Sequence, residues 1–357
     1  MQGTTAPSVS GRGLVCPHRA SHFRHTQRVS RRGMCARAQS APYSGSTVSP
    51  PLKGKHFLHI DDFSSEELQN MLDLGLMAKG KLAQKLDTSF KPFLGYTMCM
   101  IFTKPSARTR ISFETGFKLM GGEVIIPDSI SIGKREPTKD IARVVSRYND
   151  VIMARLNGHE DLLELAEHSR VPIINGLTDY NHPCQIMADV MTIMEKKGKF
   201  EGLKVVYVGD GNNIVNSWLR LSTRIPFEFT CVCPPGYEPH QGTVELAQAA
   251  GKSKIIVTND PQEGVKGADV IYTDVWASMG QKDEADKRKK DFTDYQVNKE
   301  MMARTGKDTL FMHCLPAERP WEVTDEVIES DASVVWDQAE NRMHAQNGIL
   351  LHCMEHL

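Results

Sequence analysis

Short apolar runs alternate with helical stretches along most of this chain, and that alternation restricts the fold more than any other feature. The runs are Thr97–Phe102, Glu123–Pro127, Val151–Ala154, Pro172–Asn175, Lys204–Val208, Phe229–Cys233, Ile255–Val257, Val270–Thr273 and Leu310–His313. Between them lie segments of helical spacing, among them Phe113–Met120, Lys139–Tyr148 and Val215–Thr223. A strand that returns to its sheet through a helix runs parallel to its predecessor. The rhythm therefore predicts mainly parallel sheets covered by helices on both faces. Before the first strand, Asp62-Phe63-Ser64 precedes Ser65-Glu66-Glu67, with Leu68, Met71, Leu72 and Leu76 at helical spacing, which announces a capped helix. Met187 to Lys197 reads as a helix leaving the first series, and Gly198–Gly202 punctuates the chain before the second. The expected architecture is two doubly wound α/β domains joined by helices, over residues 51–186 and 187–337. A final helix, 338–357, is expected to pack back on the first domain.

Residues 1–50 stand apart. They contain Arg12, Arg19, Arg24, Arg28, Arg31, Arg32 and Arg37 but no Asp, Glu or Lys. A segment rich in Arg and Ser and empty of acids reads as an organelle transit peptide, the alternative being a basic arm for nucleic acid or an acidic partner. The abrupt end of the basic character before Asp61 favours the transit reading, and the lack of a long apolar core argues against a secretory signal. No apolar stretch approaches the ~20 residues needed to span a bilayer. Neither a membrane nor a nucleic acid is expected as a partner of the mature chain. The cysteines form no CxxC pair and no zinc spacing, and Cys231 and Cys233 alternate within a strand-like run as buried apolar positions do.

In open parallel sheets, ligands bind outside the carboxyl ends of the strands, and the polar motifs of this chain follow such ends. Lys104-Pro105-Ser106-Ala107-Arg108-Thr109-Arg110 lies between a strand and a helix. A helix N-terminus offers unpaired N–H groups to a phosphate, Ser106 and Thr109 add hydroxyls, and Arg108 adds a forked donor. Read alone, the same residues also describe a capped helix with two solvated arginines. Arg155 ends the third strand, and His182-Pro183-Cys184-Gln185 follows the fourth. These offer donors to a carbonyl that gains negative charge, or else a surface ion pair and a helix-start turn. Gly209-Asp210-Gly211 resembles a nucleotide-binding turn, but lacks the third glycine of that fingerprint.

Taken together, Ser106-x-Arg108-Thr109-Arg110 with Ile111-Ser112-Phe113-Glu114, then Arg155, then His182-Pro183-x-Gln185, resemble the carbamoyl-phosphate site of the transcarbamoylases. Asp274-x-x-x-Ser278-Met279-Gly280 and His313-Cys314-Leu315-Pro316 are similar to the signatures of the ornithine branch. The resemblance covers roughly residues 55–352. It implies an ornithine carbamoyltransferase of arginine biosynthesis, in which carbamoyl phosphate and L-ornithine give L-citrulline and phosphate. It implies that Ser106, Ala107, Arg108 and Thr109 hold the phosphate, and that Arg108, Thr109, Arg155 and His182 surround the carbonyl oxygen. Gln185 accepts from the carbamoyl NH₂, Cys314 and the Leu315 carbonyl face the δ-amine, and Arg342 completes the pocket. Ala107 replaces a larger or hydroxylated residue of many relatives, so its backbone N–H is expected to serve. Arg110 is assigned to structure. Ser131 stands where many relatives carry Gln or His, in a loop that reaches the neighbouring subunit.

An amino-acid substrate needs an acceptor for its ammonium and donors for its carboxylate. Asp274 suits the first role; Asn213 and the backbone at Ser278–Met279 suit the second. Closure of Trp276–Gly280 over ornithine is expected. The resemblance further implies a homotrimer, no cofactor and no metal. Its closest form, including Glu340-Asn341-Arg342-Met343-His344-Ala345-Gln346-Asn347, looks like plant and algal members, which points residues 1–50 to the chloroplast, with the mitochondrion second. Rival readings are a transcarbamoylase for putrescine or N-acetylornithine, a nucleotide-binding dehydrogenase and a silent binding subunit. Asp274 and Ser278-Met279-Gly280 argue against the first, because they address free α-amino and α-carboxylate groups.

Overall fold

A computed structural model describes residues 54–83, 88–128, 132–277 and 284–355. The segment 1–50, Ser131, Ser278 and Met279 lie outside the described residues.

The first half opens with α1 (Ser65–Ala83), then alternates β1 (Thr97–Phe102), α2 (Ala107–Leu119), β2 (Glu123–Ile125), α3 (Thr138–Val145), β3 (Val151–Arg155), α4 (His159–His168), β4 (Ile173–Leu177) and α5 (Pro183–Lys197). Its strands form one sheet in the order β2-β1-β3-β4, every neighbouring pair parallel. The second half runs β5 (Lys204–Val208), α6 (Asn213–Ser222), β6 (Glu228–Val232), α7 (Gln241–Ala250), β7 (Lys254–Thr258), α8 (Pro261–Gly264), β8 (Val270–Thr273), α9 (Ala285–Asp291), α10 (Lys299–Arg304), β9 (Leu310–His313), α11 (Asp325–Ile328) and α12 (Val335–Cys353). Its sheet order is β7-β6-β5-β8-β9, again wholly parallel. Strands such as Met98–Ile101 and Val205–Val208 are buried throughout, as expected where helices cover both faces. Among the described residues no helix is long and apolar enough to cross a membrane.

Each sheet reverses its winding at one place: between β1 and β3 in the first, between β5 and β8 in the second. A crevice opens at the carboxyl end of such a switch point. Helix α12 packs chiefly on α1, α5 and α2, so the end of the chain is built into the first half. The α1–α12 approach is close enough to require glycine. A Cβ at Gly348 would lie 2.1 Å from the Met71 carbonyl oxygen and 2.7 Å from the Gly75 nitrogen.

Several element boundaries differ from those read in the sequence. Helix α2 starts at Ala107 rather than Phe113, because Ser106 takes the extended conformation of a helix cap and the polar residues after it form the first turn. Helix α5 starts at Pro183 rather than Met187, since proline at the first helical position loses no hydrogen bond. A division after residue 186 therefore cuts α5 instead of falling between elements. Helix α12 begins at Val335 rather than Gln338, α3 stops at Val145 and β2 at Ile125. Helix α12 is buried around much of its circumference, with Gln338, Asn341, Arg342 and Gln346 among the buried residues, so apolar periodicity could not mark its start.

Candidate active site

The carboxyl ends of the two sheets face one cavity of about 930 Å³. The first half contributes Ser106, Ala107, Arg108, Thr109, Arg155, His182 and Gln185; the second contributes Asn213, Asp274, Cys314, Leu315 and Arg342. All the described residues assigned to substrate from the sequence therefore line the same space.

At one end lies the first turn of α2. The Ser106 hydroxyl does not cap its helix; it lies within hydrogen-bond distance of Thr109 Oγ1, at 3.0 Å. The turn's amides keep the partial positive charge of a helix N-terminus. Thr109 is buried, and its oxygen also accepts from Arg155 Nη1 at 3.3 Å and Arg342 Nη2 at 3.0 Å. With arginines on its oxygen, the Thr109 O–H points its proton to another acceptor. Burial, then the Arg342 and Arg108 charges, lower the Arg155 pKa to about 10, which leaves it cationic near neutrality. Arg108 itself is exposed on the cavity wall. Three guanidiniums drawn together repel one another, and a multiply charged anion offsets that cost.

Arg155 lies beside an irregularity in the sheet. The β3–β4 register shifts between Ala154 and Arg155, which pairs with Leu177 and skips Gly176. A side chain at 176 would meet Met153 Sδ at 2.5 Å, so glycine permits the bulge. His182 caps α5, and its backbone N–H donates to Ser217 Oγ at 2.8 Å, tying the cap to α6 of the other half. Its ring is buried; that burial, then Arg342 and Arg155, hold its pKa well below the usual imidazole value. A neutral ring can donate one N–H without adding charge. His182 Nδ1, Arg155 Nε and Arg342 Nε have no hydrogen-bond partner among the described residues. The preceding loop is held by Asn181, whose Oδ1 accepts from Asn175 Nδ2 at 2.6 Å and from Thr178 Oγ1 at 3.2 Å.

Across the cavity, Asp274 follows β8. Its Oδ2 accepts from Asn212 Nδ2 at 2.9 Å and its Oδ1 from the Val275 N–H at 2.8 Å. Cys314 follows β9; burial first, then Asp274, push its thiol well above the ordinary range, so it is a thiol and not a thiolate. Leu315 has φ 59°, a left-handed conformation costly for a branched side chain. His313 holds it: Nδ1 accepts the Leu315 N–H at 2.8 Å, which leaves Nε2–H to donate to Glu322 Oε1 at 3.1 Å. Ligand atoms of Asp274, His313 and Cys314 lie within 4.8 Å of one another. With both His313 nitrogens engaged, the trio reads as hydrogen-bonded support for the loop and not as a cation site.

Asn213 and the Gly209-Asp210-Gly211 turn have partners that the sequence did not show. Asn213 lines the cavity, and one Nδ2–H donates to the Thr178 carbonyl at 2.9 Å, so it bridges the halves while its second N–H can serve a carboxylate. Gly209-Asp210-Gly211 is not built as a nucleotide turn. A Cβ at Gly211 would strike Pro239 N at 2.3 Å, and Asp210 pairs with Arg288 Nη1 at 3.0 Å. Sequence reading also missed Asp189 and Gln338, which support the site from behind. Asp189 carried a signal, lying four residues after Gln185 on one helix. Gln338 carried none, since its partners are remote in the chain.

Two family models match the chain. "Aspartate/ornithine carbamoyltransferase, carbamoyl-P binding domain" covers residues 55–195, and "Aspartate/ornithine carbamoyltransferase, Asp/Orn binding domain" covers 201–353. The chain is 55% identical to the chloroplastic ornithine carbamoyltransferase of Pisum sativum, over 94% of its own length and 93% of the relative's. It is 46% identical to the anabolic ornithine carbamoyltransferase of Pyrococcus furiosus, over 84% and 96%. The solved ornithine carbamoyltransferase of Pyrococcus furiosus superposes with a TM-score of 0.80 at 46% identity, covering 85% of this chain and 98% of that one. A mitochondrial ornithine carbamoyltransferase from Coccidioides immitis superposes at 0.77 and 34% identity, covering 85% and 98%.

Proposed function

The chain belongs to the aspartate/ornithine carbamoyltransferase family, and on that premise we propose that it transfers the carbamoyl group of carbamoyl phosphate to the δ-amine of L-ornithine, giving L-citrulline and phosphate in arginine biosynthesis. One observation carries the reading: Thr109, at the N-terminus of α2, receives both Arg155 and Arg342 while facing the cavity shared with Asp274 and Cys314.

The phosphate sits on the first-turn amides of α2, with Ser106 and Arg108 adding donors. The carbonyl oxygen lies against Thr109, Arg155 and the neutral His182. Gln185 Oε1 takes the carbamoyl NH₂. The Asp274 carboxylate takes the α-ammonium of ornithine, and Asn213 with the backbone at Ser278–Met279 takes its carboxylate. The neutral δ-amine then attacks the carbamoyl carbon beside Cys314 and Leu315. As the tetrahedral centre forms, charge gathers on the oxygen that the arginines, Thr109 and His182 address. Collapse breaks the carbon–oxygen bond to phosphate, and the attacking nitrogen gives its extra proton to the departing phosphate oxygen. Orientation of two reactants in one cleft supplies part of the acceleration, as in other two-substrate sites. No step is assigned to a cofactor or metal.

By this reading the first half, through α5, holds carbamoyl phosphate, β5 to α11 hold ornithine, and α12 returns Arg342 to the first half. We place residues 1–50 as a chloroplast transit peptide, supported by their composition and the Pisum sativum relative, with the mitochondrion as second choice. A homotrimer is proposed as well. Leu94, Ile111, Ile125 and Tyr148 are large apolar side chains left exposed on the first half, 74%, 62%, 49% and 73% accessible, and they offer a surface for another copy. Light scattering on the purified chain tests that mass. The decisive assay is citrulline formation by residues 51–357 with carbamoyl phosphate and ornithine, putrescine or N-acetylornithine. Turnover of ornithine above the other two is expected; none with ornithine overturns the assignment.

A further inference from the structure

Asp189 lies one helical turn beyond Gln185 on α5, fully buried and outside the cavity lining. Its Oδ1 accepts from Gln185 Nε2 at 2.9 Å and from Gln338 Nε2 at 2.8 Å. The two bonds have different consequences. An amide that donates to a carboxylate must turn its oxygen away, and Gln185 Oε1 indeed accepts from Arg342 Nη1, a group that can only donate. The amide orientation of Gln185 is therefore fixed from both ends. Gln338 is oriented in the same manner: its Nε2 also donates to Tyr272 OH at 3.2 Å, and its Oε1 accepts the His313 N–H at 3.0 Å. Tyr272 and His313 lie near the carboxyl ends of β8 and β9, just before Asp274 and Cys314.

We propose that Asp189 is a positioning residue that makes Gln185 present its oxygen, and not its NH₂, to the carbamoyl group, and that it fastens this end of the cleft through Gln338 to the strands carrying Asp274 and Cys314. The inference rests on the carbamoyl-transfer reading above. A flipped Gln185 would face the carbamoyl NH₂ with another NH₂ and lose the hydrogen bond. Arg342 fixes the oxygen from one side, because a guanidinium only donates, and the Asp189 carboxylate fixes the NH₂ from the other, because a carboxylate only accepts. Burial raises the Asp189 carboxyl to about 7, against the lowering by Gln185, Gln338 and Tyr272. Its oxygen still accepts in either protonation state, so the orientation holds through neutrality.

The test exchanges donor for acceptor in the full-length chain, with kcat and KM measured for both substrates at about pH 8.5, the alkaline side favoured by a neutral amine. Gln185→Glu alone sets two carboxylates against each other and should lower kcat/KM for carbamoyl phosphate about 100-fold or more. Adding Asp189→Asn removes the second carboxylate and restores a donor facing residue 185, with the original net charge, while Gln338, which shares the same Asp189 oxygen, loses its acceptor. This pair should recover about tenfold or more over Gln185→Glu. Asp189→Leu alone should lose about 10- to 100-fold, more than Asp189→Asn. A role in folding alone predicts no recovery by the second substitution. If Gln185→Glu/Asp189→Asn is no better than Gln185→Glu, or if folded Asp189→Leu has wild-type constants, the proposal falls. Should Asp189→Leu fail to fold, the exchanged pair still decides. Absence of citrulline with the wild-type chain would defeat the transfer reading instead, so the two failures are distinguishable.

Discussion

Arg342 Nη2 donates to Thr109 Oγ1 across 3.0 Å, although the two residues stand 233 positions apart in the chain. The same guanidinium reaches Gln185 Oε1 through its other terminal nitrogen. A lysine carries the charge but cannot serve both partners from a rigid fork. Arg342→Lys is therefore expected to lower kcat/KM for carbamoyl phosphate about 100- to 1000-fold, the usual cost of losing one such donor. Steady-state kinetics with carbamoyl phosphate as the varied substrate check this. A loss below tenfold would remove Arg342 from the site.

Asp274 makes a narrower prediction. Its carboxylate is assigned to a group that ornithine has and putrescine lacks in that position. Asp274→Asn should raise KM for ornithine about 10- to 100-fold, as a charge-assisted bond is lost. Carbamoyl-phosphate affinity should stay near wild type, because that site lies across the cavity. Any slow turnover of putrescine should fall far less than turnover of ornithine. An equal loss on both amines would show that Asp274 acts on the loop and not on the ammonium.

How much of this was legible beforehand depends on where each residue's partners lie. Strand β1 and the Ser106-to-Thr109 turn could be read locally, because an apolar run, a cap and hydroxyl and guanidinium groups fall within a dozen residues. Arg155 and His182 were legible by the same logic, each at a strand end. Arg342 was different. It lies on a helix buried around much of its circumference, so periodicity gives it no face, and only resemblance marked it. The Asp189–Gln338 bond joins residues 149 apart, and no local pattern announces it. The Asn213–Thr178 contact was hidden for the same reason: it forms only when the two halves meet.

The rate should rise with pH over the range where a protein normally works. A free δ-amine resembles lysine, with an ordinary pKa near 10.4, so its reactive neutral fraction grows about tenfold per pH unit below that. His182 sets no opposing limb there. Its pKa is held well below the imidazole value by burial and by Arg342 and Arg155, so it is already neutral. Citrulline formation should therefore climb from about pH 7 to about pH 9 at subsaturating ornithine. A fall across that interval, with the circular dichroism unchanged, would place a titrating histidine in the rate equation.

Acid should loosen the protein at the His59–His159 contact. The two Nε2 atoms lie 3.2 Å apart, His59 Nδ1 meets Asn181 Nδ2 at 2.8 Å, and His159 Nδ1 meets Thr178 Oγ1 at 2.9 Å. Burial, then Arg220, then His159 bring the His59 pKa to about 3; burial and Arg220 lower His159, against Asp179 and Glu160. Folded-state values below the unfolded 6.5 mean that the unfolded chain binds more protons in acid. Stability is thus whole above pH 6.5 and falls as pH drops through 6.5 toward about 3. By about pH 5 the partly exposed pair should cost about 1 to 2 kcal/mol. Denaturant melts at several pH values should show His59→Gln with a flatter slope than wild type; parallel curves would clear this pair.

The close α1–α12 approach ties stability to catalysis, and two glycines separate the effects. Gly348→Ala must push a Cβ against the Met71 carbonyl oxygen and the Gly75 nitrogen, both backbone atoms that cannot rotate away. The helices must part, at about 2 kcal/mol or more. Arg342 and Gln338 ride on α12, so the displacement should also weaken the bonds to Thr109 and Asp189 and lower kcat/KM for carbamoyl phosphate. Gly80, on the same α1, has nothing within 4 Å of a built Cβ. Gly80→Ala should stabilise by about 0.5 to 1 kcal/mol with kinetics unchanged, since alanine is the better helix former. If Gly348→Ala melts lower but keeps its kinetic constants, then α12 yields at its C-terminal end without moving Arg342, and the coupling is absent.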